Sequence, residues 1–398
     1  MPARSAPLKE LPYVVVSARG AARLKNGHVW VYRSDVKAGD GIAPGSLVGV
    51  RDEKKKFLGT ALYSSSSQIA IRMLSTRPVE DLPALLRQRI QEAIAYRERI
   101  VAGTDAYRVV FSEADFLPGL IVDRYNAVLS LQVLTQAMDA EPVRETVLKV
   151  LQESLNPAGI VERVDPRIRE LENLPPRESG LRLGEKTKTV FTMNGVKFHF
   201  DGLEGQKTGA FLDQRENYAA AARYAHGNAL DVFCYQGGFG LHLAPRCSSV
   251  TGVDSSRAAL EVADQNATLN GREIEWIEGN AFDLLKDYSA SKQQYDTIVL
   301  DPPAFAKSKQ NLETALRGYK ELNLRALKML RPGGVLVTCS CSYHVGASAL
   351  LEVITESARD VHRTVRLLEN RGQGLDHPTL LNVPETAYLK CLIFNVSN

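Results

Sequence analysis

The apolar positions of this chain keep two rhythms. Between Tyr13 and Ser75 apolar and polar residues alternate in short runs, YVVVSARG, HVWVYRSDV, GSLVGVRDE, FLGTALYS and IAIRML, separated by glycine and charged turns. Such runs predict five or so short strands, roughly, closing into a small β-barrel. Asp81 to Val101 changes to helical spacing, with Leu82, Leu85, Leu86, Ile90 and Ile94 on one side. RVVFSEADFLPGLIVDRYNAVLSLQVLT then reads as strands broken by turns at Leu117 to Gly119 and at Tyr125 to Asn126. A helix over Pro142 to Leu155 and a strand over Ile160 to Val164 complete an alternating α+β segment. Asp165 to Lys188, rich in charge and proline, reads as a linker or exposed excursion, and Phe191 to Phe200 as a hairpin before Asp201.

From Ala229 the apolar runs no longer alternate. Ala229 to Phe233, Val250 to Val253, Ile274 to Glu278, Thr297 to Leu300 and Val335 to Thr338 are short, and each ends in small or polar residues. Helical patterns stand between them, from Leu241 onward, over Arg257 to Asn270 and over Leu312 to Leu330. Unbroken apolar strands separated by helices predict a mostly parallel α/β sheet, with Ala387 to Val396 as a last antiparallel strand. In such a sheet the carboxyl ends of the strands form the ligand crevice. The tips LDVFCYQGGFGLHL, VTGVDSS, VLDPPAF and LVTCSCS should therefore converge on one site.

Each tip carries its own chemistry. Gly237, Gly238 and Gly240 let the backbone turn and approach a ligand without a Cβ, and Asp254 ends the next strand as an acceptor for ribose hydroxyls. A glycine loop and a ribose acid suit any adenosine cofactor, NAD included. The third tip separates the classes. Asp301 followed by Pro302 and Pro303 presents a carboxylate that can hold the edge of a base, for which a nicotinamide enzyme has no evident use. Enzymes that methylate exocyclic amines usually place an aromatic residue directly after the two prolines. Ala304 stands there, with Phe305 one further on, which weighs against amine methylation. At the fourth tip Cys339 and Cys341 share a face of extended chain. A thiolate is the right species to add to C6 of a pyrimidine and leave again, making C5 a carbon nucleophile. The bland alternative is that both are buried small hydrophobes.

These motifs, with GQKTGAFLDQR at 205–215, DPPAFAKSK at 301–309, SCS at 340–342, DHP at 376–378 and AYLK at 387–390, cover nearly the whole chain. Together they resemble the RlmI-type family of S-adenosylmethionine-dependent ribosomal RNA 5-methylcytosine methyltransferases. The resemblance implies an α/β, class I methyltransferase domain, Rossmann-like with a mostly parallel seven-stranded sheet, over residues 191–398. It implies a PUA-like RNA-binding β-barrel over 1–76, which the HVWVY segment supports, and a small α+β middle domain with linker over 77–190. Cys341 becomes the nucleophile, with Cys339 its neighbour, and Asp301 holds the base. S-adenosyl-L-methionine is the implied cofactor. Lys207, Phe211, Asp213, Arg215, Asp231, Phe233, Tyr235, Gly237, Gly238, Asp254, Ser255, Asn280, Ala281, Asp301 and Pro302 become its pocket. Lys207 and Arg215 would neutralise the methionine carboxylate or an RNA phosphate. Asn280 takes the place of an acid that reads adenine, its amide oxygen still able to accept. Arg23, Lys25, His28, Trp30 and Lys307 become RNA contacts. Many other RNA 5-methylcytosine enzymes carry a second cysteine where this chain has Ala304, so product release must use another base, which the sequence does not identify.

Composition adds bounds. A chain of 398 residues suggests two or three domains at about 150 residues each. A net charge of +3 permits RNA binding without requiring it. Five cysteines without a paired framework point to a reducing compartment, and Met1 to Glu10 lacks the apolar core of a signal peptide. No apolar run reaches the ~18 residues of a membrane helix, so a soluble cytoplasmic protein is expected. Glu113, Asp115 and Asp123 read as turn-forming acids rather than metal ligands, and no metal is expected. The expected partner is RNA, 23S rRNA or a large-subunit precursor, with no membrane; a homodimer stays open. Two other readings also remain, an RNA guanine-nitrogen methyltransferase and a non-catalytic RNA-binding assembly factor.

Overall fold

The computed structural model describes residues 11–39, 41–204, 210–306 and 309–398. The first alternating segment forms a six-stranded sheet whose end strands, Trp30–Tyr32 and Val36–Ala38, are joined by the single turn Arg33–Asp35. Edges tied so closely in sequence must lie near each other, which rolls the sheet nearly into a barrel. Val14, Val16, Val31, Val48, Val50 and Ile71 fill its interior. One stretch differs from the sequence reading: ARGAARLK after the first strand is a helix, Ala18–Lys25. Ser17 starts it, its Oγ accepting from Gly20 N at 3.1 Å and donating to the buried Asp35 at 2.8 Å.

The middle segment is a five-stranded sheet ordered Gly180–Gly184, Gly159–Glu162, Val128–Val133, Leu120–Tyr125, Ala106–Phe111. Helices Leu82–Ile100 and Glu141–Leu155 bury Leu86, Ile90, Val147 and Leu151 against it. The stretch expected to be a linker is part of this fold. Asp165 caps a helix over Pro166–Leu171, and Gly180–Gly184 adds an antiparallel edge strand. Two of its arginines are held by acids of the sheet and its helices: Arg169 pairs with Asp139 at 3.1 Å and Arg182 with Glu162 at 2.6 Å, where Arg144 also binds both acids.

The last segment holds β1 (Asn228–Val232), β2 (Ser249–Asp254), β3 (Glu275–Glu278), β4 (Tyr295–Leu300), β5 (Leu330–Ser340), β6 (Thr364–Arg371) and β7 (Lys390–Ser397). Their order is β3-β2-β1-β4-β5-β7-β6, parallel except that β7 runs antiparallel to both neighbours. The helices are α1 (Arg215–Tyr224), α2 (Gly238–Leu243), α3 (Arg257–Leu269), α4 (Ala281–Ala290), α5 (Leu312–Met329) and α6 (Ala347–Asp360). Tyr218 of α1, Phe239 of α2 and Ala267 of α3 cover one face, together with Phe191, Phe198 and Phe200 of the hairpin Lys188–Met193 and Val196–Asp201. Leu285, Tyr319 and Leu350 of α4, α5 and α6 cover the other. Among the described residues no helix is long and apolar enough to cross a membrane.

Candidate active site

Where β1, β4 and β5 end, Val232 lies beside Leu300 and Leu300 beside Thr338, so their tips are level. The loop after β1 turns through three left-handed residues, Phe233 (φ 67°), Tyr235 (φ 48°) and Gly237 (φ 83°). Two of them carry side chains, a strained arrangement that surrounding hydrogen bonds must hold. Tyr235 N donates to Asp254 Oδ2 and Ser256 N to Asp254 Oδ1, both at 2.9 Å. Gly240 N donates to Asp231 Oδ2 at 2.7 Å. At Gly238 a Cβ would fall 2.5 Å from the hydroxyl of Tyr218, so only glycine brings the backbone this close. The edge of Phe211 meets Tyr235 at 5.2 Å between ring centroids.

Carboxyl groups gather beneath this loop. Burial, then Asp213 and Asp231, push the Asp301 carboxyl up to about 7, while Gln214 Nε2 donates to its Oδ2 at 3.0 Å. Asp231 is likewise raised to about 7, first by burial and then by Asp254, and its Oδ1 has no hydrogen-bond partner among the described residues. Asp213 accepts from Tyr388 Oη at 2.6 Å. Acids that disfavour one another's ionisation form a place prepared for a cation. An adenosine cofactor carrying a sulfonium and an ammonium fits such a place.

The two cysteines have parted. β5 ends at Ser340, so the extended-chain argument reaches Cys339 and stops short of Cys341, which lies in the turn beyond. Cys339 is sealed beside Cys391, its register partner on β7, and burial holds its thiol well above the ordinary range. Cys341 is half-buried, with Sγ 4.0 Å from the carbonyl oxygen of Pro302, the residue after Asp301. The flanking serines are held from α5: Tyr319 Oη donates to Ser340 Oγ at 2.8 Å and lies 3.2 Å from Ser342 Oγ. Lys390, at the start of β7, donates to Ser342 O at 2.6 Å and to Tyr388 O at 2.8 Å.

Several expected site residues are placed otherwise. Arg215 is 2 % exposed and bidentate on Asp376, both distances 3.1 Å, with Glu216 at 2.8 Å. Its donors are occupied by acids, so it joins segments rather than neutralising a ligand's carboxylate or phosphate. Asn280 caps α4, its Oδ1 accepting from Phe282 N and Asp283 N, so the oxygen expected to read adenine is already engaged. Ala281 is buried as the first residue of α4, Ser255 is exposed beside Asp254, and Pro302 is buried. Lys207 and Lys307 lie outside the described residues.

The barrel residues expected to touch RNA mostly face protein. Trp30 Nε1 donates to Glu113 of the middle sheet at 3.0 Å, and His28 Nε2 lies 3.4 Å from Glu385 before β7. Arg23 is over the Tyr32 ring and 3.7 Å from Asp35, and Lys25 is 3.5 Å from Asp52. Asp115, in the turn after Phe111, pairs with Arg97, and Asp123, which lies within the strand Leu120–Tyr125 rather than in a turn, pairs with Arg108. Sequence reasoning missed Gln214, Tyr319, Tyr388 and Lys390 as supports of the site. Gln214, Tyr388 and Lys390 stood inside quoted motifs, but only the folded chain supplies their partners.

A sheet of this order with a glycine loop and a carboxyl cluster at its strand tips has the architecture of an S-adenosylmethionine-dependent methyltransferase. Family profiles agree: the PUA-like domain matches residues 14–76 and the S-adenosylmethionine-dependent methyltransferase domain residues 177–395. The chain is 37% identical to the ribosomal RNA large subunit methyltransferase I of Shewanella denitrificans, over 94% of this chain and 96% of that protein. It is 36% identical to that of Photobacterium profundum, over 92% and 95%. The chain belongs to the ribosomal RNA large subunit methyltransferase I family. SMU.776, a methyltransferase solved with SAH, shares the fold at a TM-score of 0.83 and 18% identity, covering 96% of this chain and 99% of that one.

Proposed function

We propose that this chain methylates C5 of a cytosine in large-subunit ribosomal RNA through a covalent bond between Cys341 and C6. The relatives' names support the RNA, and the observation that carries the chemistry is the half-buried Cys341 Sγ beside Pro302, next to Asp301. A cytosine turned out of its stack exposes both faces of its C5–C6 edge. Asp301, its carboxyl raised to about 7, retains a proton near neutrality and can donate to N3 while accepting from N4. Withdrawal of electrons at N3 makes C6 more electrophilic, and the Cys341 thiolate adds there, leaving C5 nucleophilic. Asp231, Asp254 and the Gly237–Gly238 turn would hold S-adenosylmethionine, which supplies an electrophilic methyl group when bound. Loss of the C5 proton then lets the sulfur depart.

The test is nucleoside mass spectrometry on large-subunit RNA methylated in vitro. Wild type should yield 5-methylcytosine, whereas Cys341→Ala should yield none while still binding cofactor by calorimetry. A methylated guanine, or unchanged 5-methylcytosine from the variant, would refute the assignment.

A further inference from the structure

The covalent reading needs a thiolate at Cys341, and among the described residues the amine of Lys390 bonds the turn that carries it. Lys390 enters β7 opposite Ser340 and is only 9 % exposed. Two carbonyl oxygens, those of Ser342 and Tyr388, take two of its N–H bonds. A neutral amine so held keeps its lone pair for a third direction, and an ammonium keeps one proton for it. Ser342 is the residue after Cys341, so the bond that anchors the amine also fixes the turn that carries the sulfur. Resting on the covalent reading, we propose that Lys390 is the positioning residue that ionises Cys341. Its neutral amine takes the Sγ–H proton, both electrons of that bond stay on sulfur, and the resulting ammonium is the thiolate's counter-ion.

The surroundings favour this exchange. Burial pushes the Lys390 ammonium down to about 8, and the charge of Cys341 pulls it back up. An amine of that strength is near the ordinary thiol, so the proton passes between them with little cost. Among the described residues the other titratable groups near the turn include Tyr319 on α5, raised by burial and bound to Ser340, and Asp301 just beyond the end of β4, which accepts from Gln214. Tyr343 and His344 follow in the turn itself, their rings meeting at 5.3 Å between centroids. Tyr388, which precedes Lys390, gives its hydroxyl to Asp213. Among the described residues Lys390 is the cation hydrogen-bonded to this turn, through Ser342 O.

The experiment follows Cys341 alkylation by iodoacetamide against pH, read on its own peptide by mass spectrometry. Cys234, Cys339 and Cys391 are buried and Cys247 is held up at about 11, so they report separately. Lys390→Gln keeps donors for the two carbonyls and removes the charge. It should raise the alkylation midpoint by about one pH unit and slow the reaction at pH 7 by roughly tenfold. Lys390→Arg, permanently charged, should restore the low midpoint. Calorimetric binding of S-adenosylmethionine checks that each variant is folded. Coincident curves for wild type and Lys390→Gln would overturn the proposal, as would a Lys390→Arg curve matching that of Lys390→Gln. The covalent reading fails separately, if Cys341→Ala still forms 5-methylcytosine.

Discussion

Gln214 donates to Oδ2 of Asp301 at 3.0 Å while its own Oε1 accepts from Asn217 Nδ2 at 2.7 Å. The amide is thereby held in one orientation against the carboxyl. A hydrogen bond to an ionisable acceptor contributes about 1.5–3 kcal/mol. Gln214→Leu should therefore lower kcat roughly tenfold or more. Because the bond favours the ionised carboxyl, its loss should raise the Asp301 carboxyl further and move the alkaline limb of the kcat–pH profile, where the proton donated to N3 is lost, upward. Steady-state kinetics from pH 5.5 to 9, to be run on both proteins at about equal ionic strength, checks both effects.

Cofactor binding should depend on pH. Asp231, raised to about 7, is partly protonated in the free protein, and a cation favours its ionised form. Affinity for S-adenosylmethionine should fall roughly tenfold from about pH 8 to about pH 6. In the free protein the sign is reversed: folded carboxyls that bind protons more tightly than unfolded ones stabilise fully below about pH 4, and that stability is lost as pH rises through 7. The thermal shift produced by cofactor should accordingly be larger at the higher pH. Calorimetry and thermal melts on the same samples measure the two sides.

The joint between segments is a buried ion pair. Asp376 is buried, which alone would raise its carboxyl, but His377 and Arg215 hold it well below the usual range. Arg108 N also donates to it at 2.8 Å and Arg97 to its carbonyl at 2.8 Å, so the DHP turn ties the middle sheet to α1. Asp376→Asn leaves the buried guanidinium of Arg215 with Glu216 as its remaining charge partner and should cost up to about 3–5 kcal/mol. In wild type the stability from this depressed carboxyl is present above the unfolded value and lost as pH falls below it. Denaturant unfolding at neutral and acid pH would show a gap between the two proteins that narrows on acidification.

Gly238→Ala probes the closeness of the cofactor loop. The added methyl meets the Tyr218 hydroxyl, and the ring cannot swing away because Phe239 and His242 pack on it at 4.7 and 5.1 Å. Overpacking of this kind costs about 1–3 kcal/mol. The variant should melt lower and bind S-adenosylmethionine more weakly, whereas Gly271→Ala, where a Cβ meets nothing within 4 Å, should bind cofactor as wild type does.

The cysteines separate by burial. Cys339→Ser should retain methyl transfer with a modest loss of stability, since its thiol lies in the core with Cys391. Cys341→Ser should abolish transfer. Methyl incorporation from labelled cofactor into RNA distinguishes the two.

The sequence alone determined the elements whose causes are local. Unbroken apolar runs between helical patterns gave the parallel sheet, and a strand tip rich in glycine or carrying Asp254 or Asp301 announced a crevice, because period and turn chemistry act over a few neighbouring residues. Its errors came where a distant partner reverses the local preference. Residues 165–188 look like a solvated linker until Asp139 and Glu162 neutralise their arginines, and Arg215 looks like a ligand clamp until Asp376 closes on it. Tertiary structure alone decided which of two cysteines remained reachable, since burial is set by β7 and by α5, far away in the chain. It also decided that Gln214, Tyr319 and Lys390 serve the site, for hydrogen bonds join atoms by distance in space, which one-dimensional spacing does not encode.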